Sequence, residues 1–227
     1  MAKSKLLEET QIELSAKFVT RVKEIAKSEL PLDGLAIQQN VIPELQDLIK
    51  QGADVNHQID IPGEKGNAAL HYLVQAKSEE LVNFFVKNLQ CNVNIQNMRQ
   101  VTPLHESVSC VNLEASRSLI ENSANVNSIN RRGETPLHLL LQFANQNLPN
   151  FLSLCELLMN NKANPLQSNQ NRDRPVDYLL SNLEGLEDNN LKEISKHLLC
   201  ASGEVQKNHT DLVELVINHF IKPESQN

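Results

Sequence analysis

Thr102-Pro103-Leu104-His105 returns as Thr135-Pro136-Leu137-His138 and is preceded by Ala68-Ala69-Leu70-His71. The starts at 68, 102 and 135 are 34 and 33 residues apart. Threonine followed by proline is a helix-start signal. The hydroxyl caps the first turn, and proline's fixed φ and missing N–H suit the first helical position. Behind each copy, apolar residues return at helical spacing. A second marker keeps step: Asp54-Val55-Asn56, Asn92-Val93-Asn94 and Asn125-Val126-Asn127 each follow an apolar stretch. Between the markers lie Leu48-Ile49, Phe84-Phe85, Leu119-Ile120 and Leu157-Leu158, the apolar stripe of a second helix in each copy. One helix pair cannot bury its apolar face alone, whereas stacked pairs can.

Composition agrees. Of 227 residues 40% are hydrophobic and 22% charged, enough for a core and not a disordered chain. Aromatics are 4% and Trp is absent, so the core is aliphatic and falls to the 34 Leu. The 27 Asn beside 7 Gly predict that Asn fills turns needing left-handed backbone. A net charge of −7 argues against a general basic surface for nucleic acid. No stretch approaches the roughly 18 apolar residues of a membrane span. The start, MAKSKLLEETQIELSAKF, has no apolar signal core, and its acidic residues argue against a transit peptide. Cys91, Cys110, Cys155 and Cys200 show no paired spacing, which predicts reduced thiols in a cytosolic compartment.

The markers together resemble the ankyrin repeat. TPLH stands twice intact and once as AALH, and Gly52-Ala53-Asp54-Val55-Asn56 matches the family's repeat ending. The resemblance covers residues 31–182 directly. It implies an all-α ankyrin-repeat solenoid of about five helix-pair units with β-hairpin fingers, capped by extra helices at both ends. The expected divisions are an N-terminal amphipathic capping helix at 1–30, repeats within 31–182, and a capping helix and tail at 204–227. Repeat boundaries fall near 31–65, 66–99, 100–132, 133–171 and 172–203. The last repeat is degenerate, opening with Arg174-Pro175-Val176-Asp177-Tyr178-Leu179.

The departures carry information. The first unit has Pro31-Leu32-Asp33-Gly34 where TPLH would stand, yet Leu35, Ala36, Leu45, Leu48 and Ile49 fall at core positions, as in a terminal cap. Asp54 and Asn92 are 38 apart, so the first finger, around residues 57–65, is longer. An insertion at 145–150 separates the helices of the fourth unit, and an acidic one at 184–190 those of the fifth. Residues 5–29 read as an amphipathic helix with Leu7, Leu14, Phe18, Val22 and Ile25 near one face. Residues 191–200 and 211–221 are helical candidates, the second with Asp211 and Glu214 in capping-box spacing.

No catalytic constellation stands out. His71, His105 and His138 occupy the same place in successive repeats, and read as structural histidines bonding backbone between units. His57, His197, His209 and His219 lack metal-ligand spacing, and no GxSxG, phosphate loop or DxD occurs. Cys91 reads as core filler, and no base stands beside Cys110. The expectation is a non-enzyme with no cofactor and no metal.

The resemblance implies protein recognition through a concave surface of finger tips and first helices. Carried over, the finger positions are Glu64, Lys65 and Asn67; Met98, Arg99 and Val101; Arg131, Arg132 and Glu134; and Asn171, Arg172 and Asp173. The inner-helix positions are Gln75, Ala76, Ser109, Cys110, Gln142 and Phe143. The expected partner contacts are Lys65, Gln75, Met98, Arg99, Arg131, Arg132, Gln142, Phe143 and Arg172, with Phe143 the apolar anchor. Of seven Arg, five (Arg99, Arg131, Arg132, Arg172 and Arg174) lie in or beside fingers, which suggests an acidic partner. Charged fingers also serve solubility. The expected state is a monomer binding a protein partner, without nucleic acid or membrane, in the cytoplasm or delivered into a host cell as a bacterial effector. Leu30-Pro31-Leu32-Asp33-Gly34-Leu35-Ala36-Ile37 is faintly similar to an F-box start, which makes a ubiquitin-ligase adaptor one alternative. Activity in the C-terminal segment is another. Asn56 matches the acceptor of asparaginyl hydroxylases.

Overall fold

The computed structural model describes residues 2–28, 36–59, 65–76, 78–142, 148–175 and 177–178. The chain divides into two compact units, Met1–Ala124 and Asn125–Asn227. Among the described residues the regular structure is helical.

Unit 1 begins with α1 (Ala2–Lys27). The first repeat supplies a wide π turn, Ile37–Val41, that runs into α2 (Ile42–Lys50). The second pairs α3 (Ala69–Leu73) with α4 (Glu79–Asn83), which opens into a π turn at Phe84–Asn88. The third pairs α5 (Pro103–Ser109) with α6 (Leu113–Glu121). The π turn has more residues per turn than an α-helix, so Phe84, Phe85 and Val86 are all buried in succession.

The end of α1 packs on the repeats. Phe18, Val19, Val22 and Ile25 are buried, and the Phe18 ring lies 5.7 Å from that of Phe85. Arg21 forks onto Glu44 through Nε at 2.8 Å and Nη2 at 3.1 Å, joining α1 to α2. The Ser15 hydroxyl accepts from the Asp54 N–H at 2.9 Å and donates to the Gln11 carbonyl. The helix runs further than its packing: Leu7, placed on the packed face by sequence, is 67% exposed, and Ile12 is 58% exposed. At 1.5 Å per residue, its 26 residues span about 39 Å.

Unit 2 holds the fourth pair, α7 (Pro136–Gln142) and α8 (Leu148–Asn160). Leu137, Leu140, Leu141, Phe151, Leu154, Cys155 and Leu158 fill its core. α8 starts at Leu148, so the last three residues of the expected 145–150 insertion are helical. In the first repeat Leu45 and Leu48 are buried as expected and Ile49 is half-buried. Its Pro31-Leu32-Asp33-Gly34 segment, the F-box-like stretch as far as Leu35, and the C-terminal helices expected at 191–200 and 211–221 lie outside the described residues.

Two expectations change. The described finger residues form turns: no strand forms among the described residues, and the one antiparallel bridge there joins Gln58 to Ala68. The reason is local. Asn97 Oδ1 accepts the N–H groups of Arg99 and Val101 at 2.9 and 3.1 Å, doing from inside what a partner strand would do from outside. Asn130 does the same for Arg132 and Glu134, and Asn169 for Asn171 and Asp173. Second, asparagine is not the left-handed residue. Among the described residues the non-glycine positions at positive φ are Gln90, Gln100, Val111, Ser123, Lys162 and Arg172. Asparagine is used for its side-chain acceptor, in finger brackets, in Asx turns and as the cap of α6.

Candidate partner-binding surface

Each TPLH motif is a closed hydrogen-bond circuit. Thr135 Oγ1 accepts from the His138 N–H, while His138 Nδ1 accepts from the Thr135 N–H at 3.0 Å and lies 2.8 Å from its hydroxyl. Thr102 and His105 repeat the arrangement. Because Nδ1 accepts, the proton sits on Nε2, and Nε2 donates to the following repeat: His71 to the Val101 carbonyl at 2.9 Å, His138 to the Asp173 carbonyl at 3.1 Å. Burial lowers the pKa of His71 and His138 despite these bonds, so both are neutral. The degenerate unit keeps the circuit with other atoms. Asp177 Oδ2 accepts the Arg174 N–H at 2.7 Å, where the histidine nitrogen would stand. Burial works to raise the Asp177 pKa, but the Arg174 side-chain and backbone bonds outweigh it and hold the carboxyl below its usual range.

A ladder runs along the loops. Asn56 Oδ1 accepts the Asn92 N–H at 2.7 Å, and in unit 2 Asn127 Oδ1 accepts the Asn164 N–H at 2.8 Å. On the opposite side, successive fingers join through backbone. Met98 N–H donates to the Lys65 carbonyl at 2.9 Å, and Gln170 N–H to the Arg132 carbonyl at 3.0 Å. Gly133 is required there: its φ is +74°, and an added Cβ would come within 3.0 Å of the Gln170 nitrogen. The finger backbone is therefore fixed from both sides, and its outer side chains stand on a firm base.

The expected contacts separate into two sets. In unit 1, Lys65, Met98 and Arg99 are exposed, and Gln75 is exposed with its amide on Glu106 at 3.1 Å. In unit 2, Arg131, Gln142 and Arg172 are exposed. Phe143 and Glu64 lie outside the described residues. Arg99, Arg131 and Arg172 form no ion pair among the described residues. Arg132 and Arg174 do. Arg132 Nε reaches Glu134 Oε2 at 2.9 Å, and Arg174 forks onto Asp177 through Nε and Nη2. Among the described residues the five-arginine rim reduces to three arginines without an ion pair.

Sequence reasoning missed Glu134 as a buried carboxylate. Its side chain is 5% exposed, and the Asn130 amide also donates to it, at 2.8 Å. The Tyr178 hydroxyl lies 3.5 Å from its other oxygen and accepts from the Asn169 amide at 3.0 Å. The Arg132–Glu134 spacing was visible; the burial was not.

His71, His105 and His138 are committed to caps, and the thiols among the described residues are poor nucleophiles. Burial pushes Cys91 up to about 11 and raises Cys155 further. Cys110 is exposed, and its pKa is raised by partial burial and by the nearby Glu106 carboxylate.

Helix pairs repeating at 33–34 residues, capped by threonine–histidine circuits and joined through fingers, define a class of repeat protein built for recognition. The family model of ankyrin repeats in three copies matches residues 34–130 and 70–169, and the chain belongs to the ankyrin-repeat family. Ankyrin repeats are generally protein–protein interaction modules. An intracellular phospholipase A2 of Caenorhabditis elegans is 29% identical over 138 residues, covering 57% of this chain and 13% of that protein. The chain thus matches a small part of that relative's length. No helix among the described residues is long and apolar enough to cross a membrane.

Proposed function

We propose that this chain is a non-catalytic recognition module that binds an acidic surface of a partner protein along its finger edges and first helices. The observation that carries this is the set of exposed arginines without ion pairs among the described residues, Arg99 in unit 1 and Arg131 and Arg172 in unit 2. Guanidinium groups on fixed backbone can fork onto carboxylates at low entropic cost. Unit 1 adds Lys65, Met98 and Gln75 to its contacts, and unit 2 adds Gln142, with Phe143 as an apolar contact. The closure of His71, His105 and His138 into caps, and the raised pKa of buried Cys91 and Cys155, support a non-catalytic role. We keep the division into a cap at 1–30, repeats over 31–182 and a terminal cap at 204–227, acting as a monomer in a cytoplasm, its own or that of a host cell. Asn56, half-buried in the loop ladder, is the modification site of this reading.

The test is capture of partners from eukaryotic cytosol, identified by mass spectrometry, with wild type beside Arg99→Glu and Arg131→Glu. A partner held by the wild type and lost in either variant supports the reading. Equal retention by both moves the site off the fingers. Ubiquitin-ligase subunits in the eluate would favour the adaptor alternative.

A second reading takes its cue from the Caenorhabditis elegans relative. The repeats would then serve as the recognition part of an enzyme system, with activity in residues 183–227 or on another polypeptide. Hydrolysis of a phospholipid by the purified 227-residue chain would establish the first form.

A further inference from the structure

Four basic side chains mark the unit 2 fingers, yet they do not stand alike. Arg174 is spent on Asp177, and the other three, Arg131, Arg132 and Arg172, divide between two tasks. Glu134 is a carboxylate with its side chain 5% exposed, and a buried carboxylate without a counter-charge is costly. Arg132 supplies that charge at 2.9 Å while its own side chain stays 70% exposed. From Glu134 the bonds continue to Asn130, which brackets its own finger, and to Tyr178, whose hydroxyl takes the amide of Asn169, the bracket of the next. Arg132 thus neutralises the group on which two finger turns converge.

Arg172 shows the opposite pattern. It sits at φ +69°, the place that Gly66 and Gly133 hold in other fingers at φ +67° and +74° and Gln100 at φ +57°. An L side chain is disfavoured there, and no ion pair among the described residues offsets the cost. Its exposed guanidinium, without an ion pair among the described residues, is available to a group outside the fold. The backbone of Arg131 is held to the same finger. The Gln170 side-chain amide donates to the Arg131 carbonyl at 2.7 Å, and Arg172 follows two residues on.

We infer that Arg131 and Arg172 are the pair that takes the partner's carboxylates, and that Arg132 is a positioning residue, held as counter-ion of buried Glu134. This rests on the acidic-partner reading above and divides its arginines by role.

The experiment uses the full chain and a fluorescein-labelled polyglutamate peptide as probe, read by anisotropy at low and physiological salt, with the thermal midpoint of every variant. Arg131→Gln and Arg172→Gln should each weaken binding about three- to five-fold without lowering the midpoint. Arg132→Gln should lower the midpoint by several degrees and weaken binding with it. The double variant Arg132→Gln/Glu134→Gln removes both charges, and should recover the midpoint and the binding together. A double variant that regains its midpoint but still binds as poorly as Arg132→Gln makes Arg132 a direct contact and overturns the inference. The acidic-partner reading would survive that result. Failure of the wild type to bind the probe even at low salt would sink that reading and this inference with it.

Discussion

His71 Nε2 donates to the carbonyl oxygen of Val101 at 2.9 Å, so the histidine that caps one helix also holds the residue just before the next repeat's Thr102. On the other side of the ring Nδ1 accepts the Ala68 N–H at 3.2 Å, and that second bond exists only while Nδ1 is unprotonated. Protonation would set donor against donor. Burial lowers the pKa of His71 and His138 below 6.5 in the folded state, so the unfolded state binds protons first. The stability these histidines contribute is fully present above about 6.5 and is lost as pH falls from there through their folded values. The thermal midpoint should drop between pH 7 and 5, above the range in which ordinary carboxylates titrate. His71→Gln and His138→Gln should flatten that profile. An unchanged slope in both variants would count against it.

Phe18 is fully buried against Phe85, and it anchors α1 far more than the exposed Arg21–Glu44 pair can. Phe18→Ala should cost about 3–5 kcal/mol in denaturant unfolding. It should also free the helix, so that trypsin cuts at Lys17, Arg21 or Lys23 before the repeats are attacked.

Val111 has φ +52°, an uncommon value for a β-branched residue. It is held there because Asn112 caps α6 while its amide reaches back to the Val74 and Ala76 carbonyls at 2.9 and 3.2 Å. Val111→Gly should stabilise the fold by roughly 0.5–1 kcal/mol, the relief of strain less glycine's greater unfolded-state entropy. A rise in the urea midpoint at constant slope is the expected outcome.

Thiol labelling should follow burial. In a Cys200→Ser background, Cys110 should react with an aromatic disulfide reagent in the native state, at a rate that rises with pH above neutrality. Cys91 and Cys155 should wait for unfolding. Two rapidly labelled thiols would show that one of those sites opens locally.

The helix pairs were legible because their signals are local. Thr-Pro marks a start, and Leu119 or Leu158 falls on the apolar face by spacing alone. The extent of α1 packing was not legible, since Leu7 continues the pattern of Phe18 and Val22 past the surface that α1 covers. The asparagines were misread for a related reason. A left-handed preference belongs to one residue, but Asn56 works by accepting from Asn92, 36 positions away. Charge was countable in the sequence, whereas the pairing that commits Arg132 to Glu134 depends on burial of the carboxylate. The Arg174–Asp177 pair, three residues apart, was the one fixed by a motif already in view.

The loop ladder separates two chemistries within each unit. Its rungs, Asn56 to Asn92 and Asn127 to Asn164, are neutral amide contacts, which dissolved salt does not screen as it does exposed ion pairs. The finger tips, by contrast, carry bare charge. Raising ionic strength should therefore release an acidic partner while leaving the rise from one repeat to the next untouched. Substitutions at the tips can vary from one descendant to another without altering that rise, so affinity can be retuned while the scaffold stays in register.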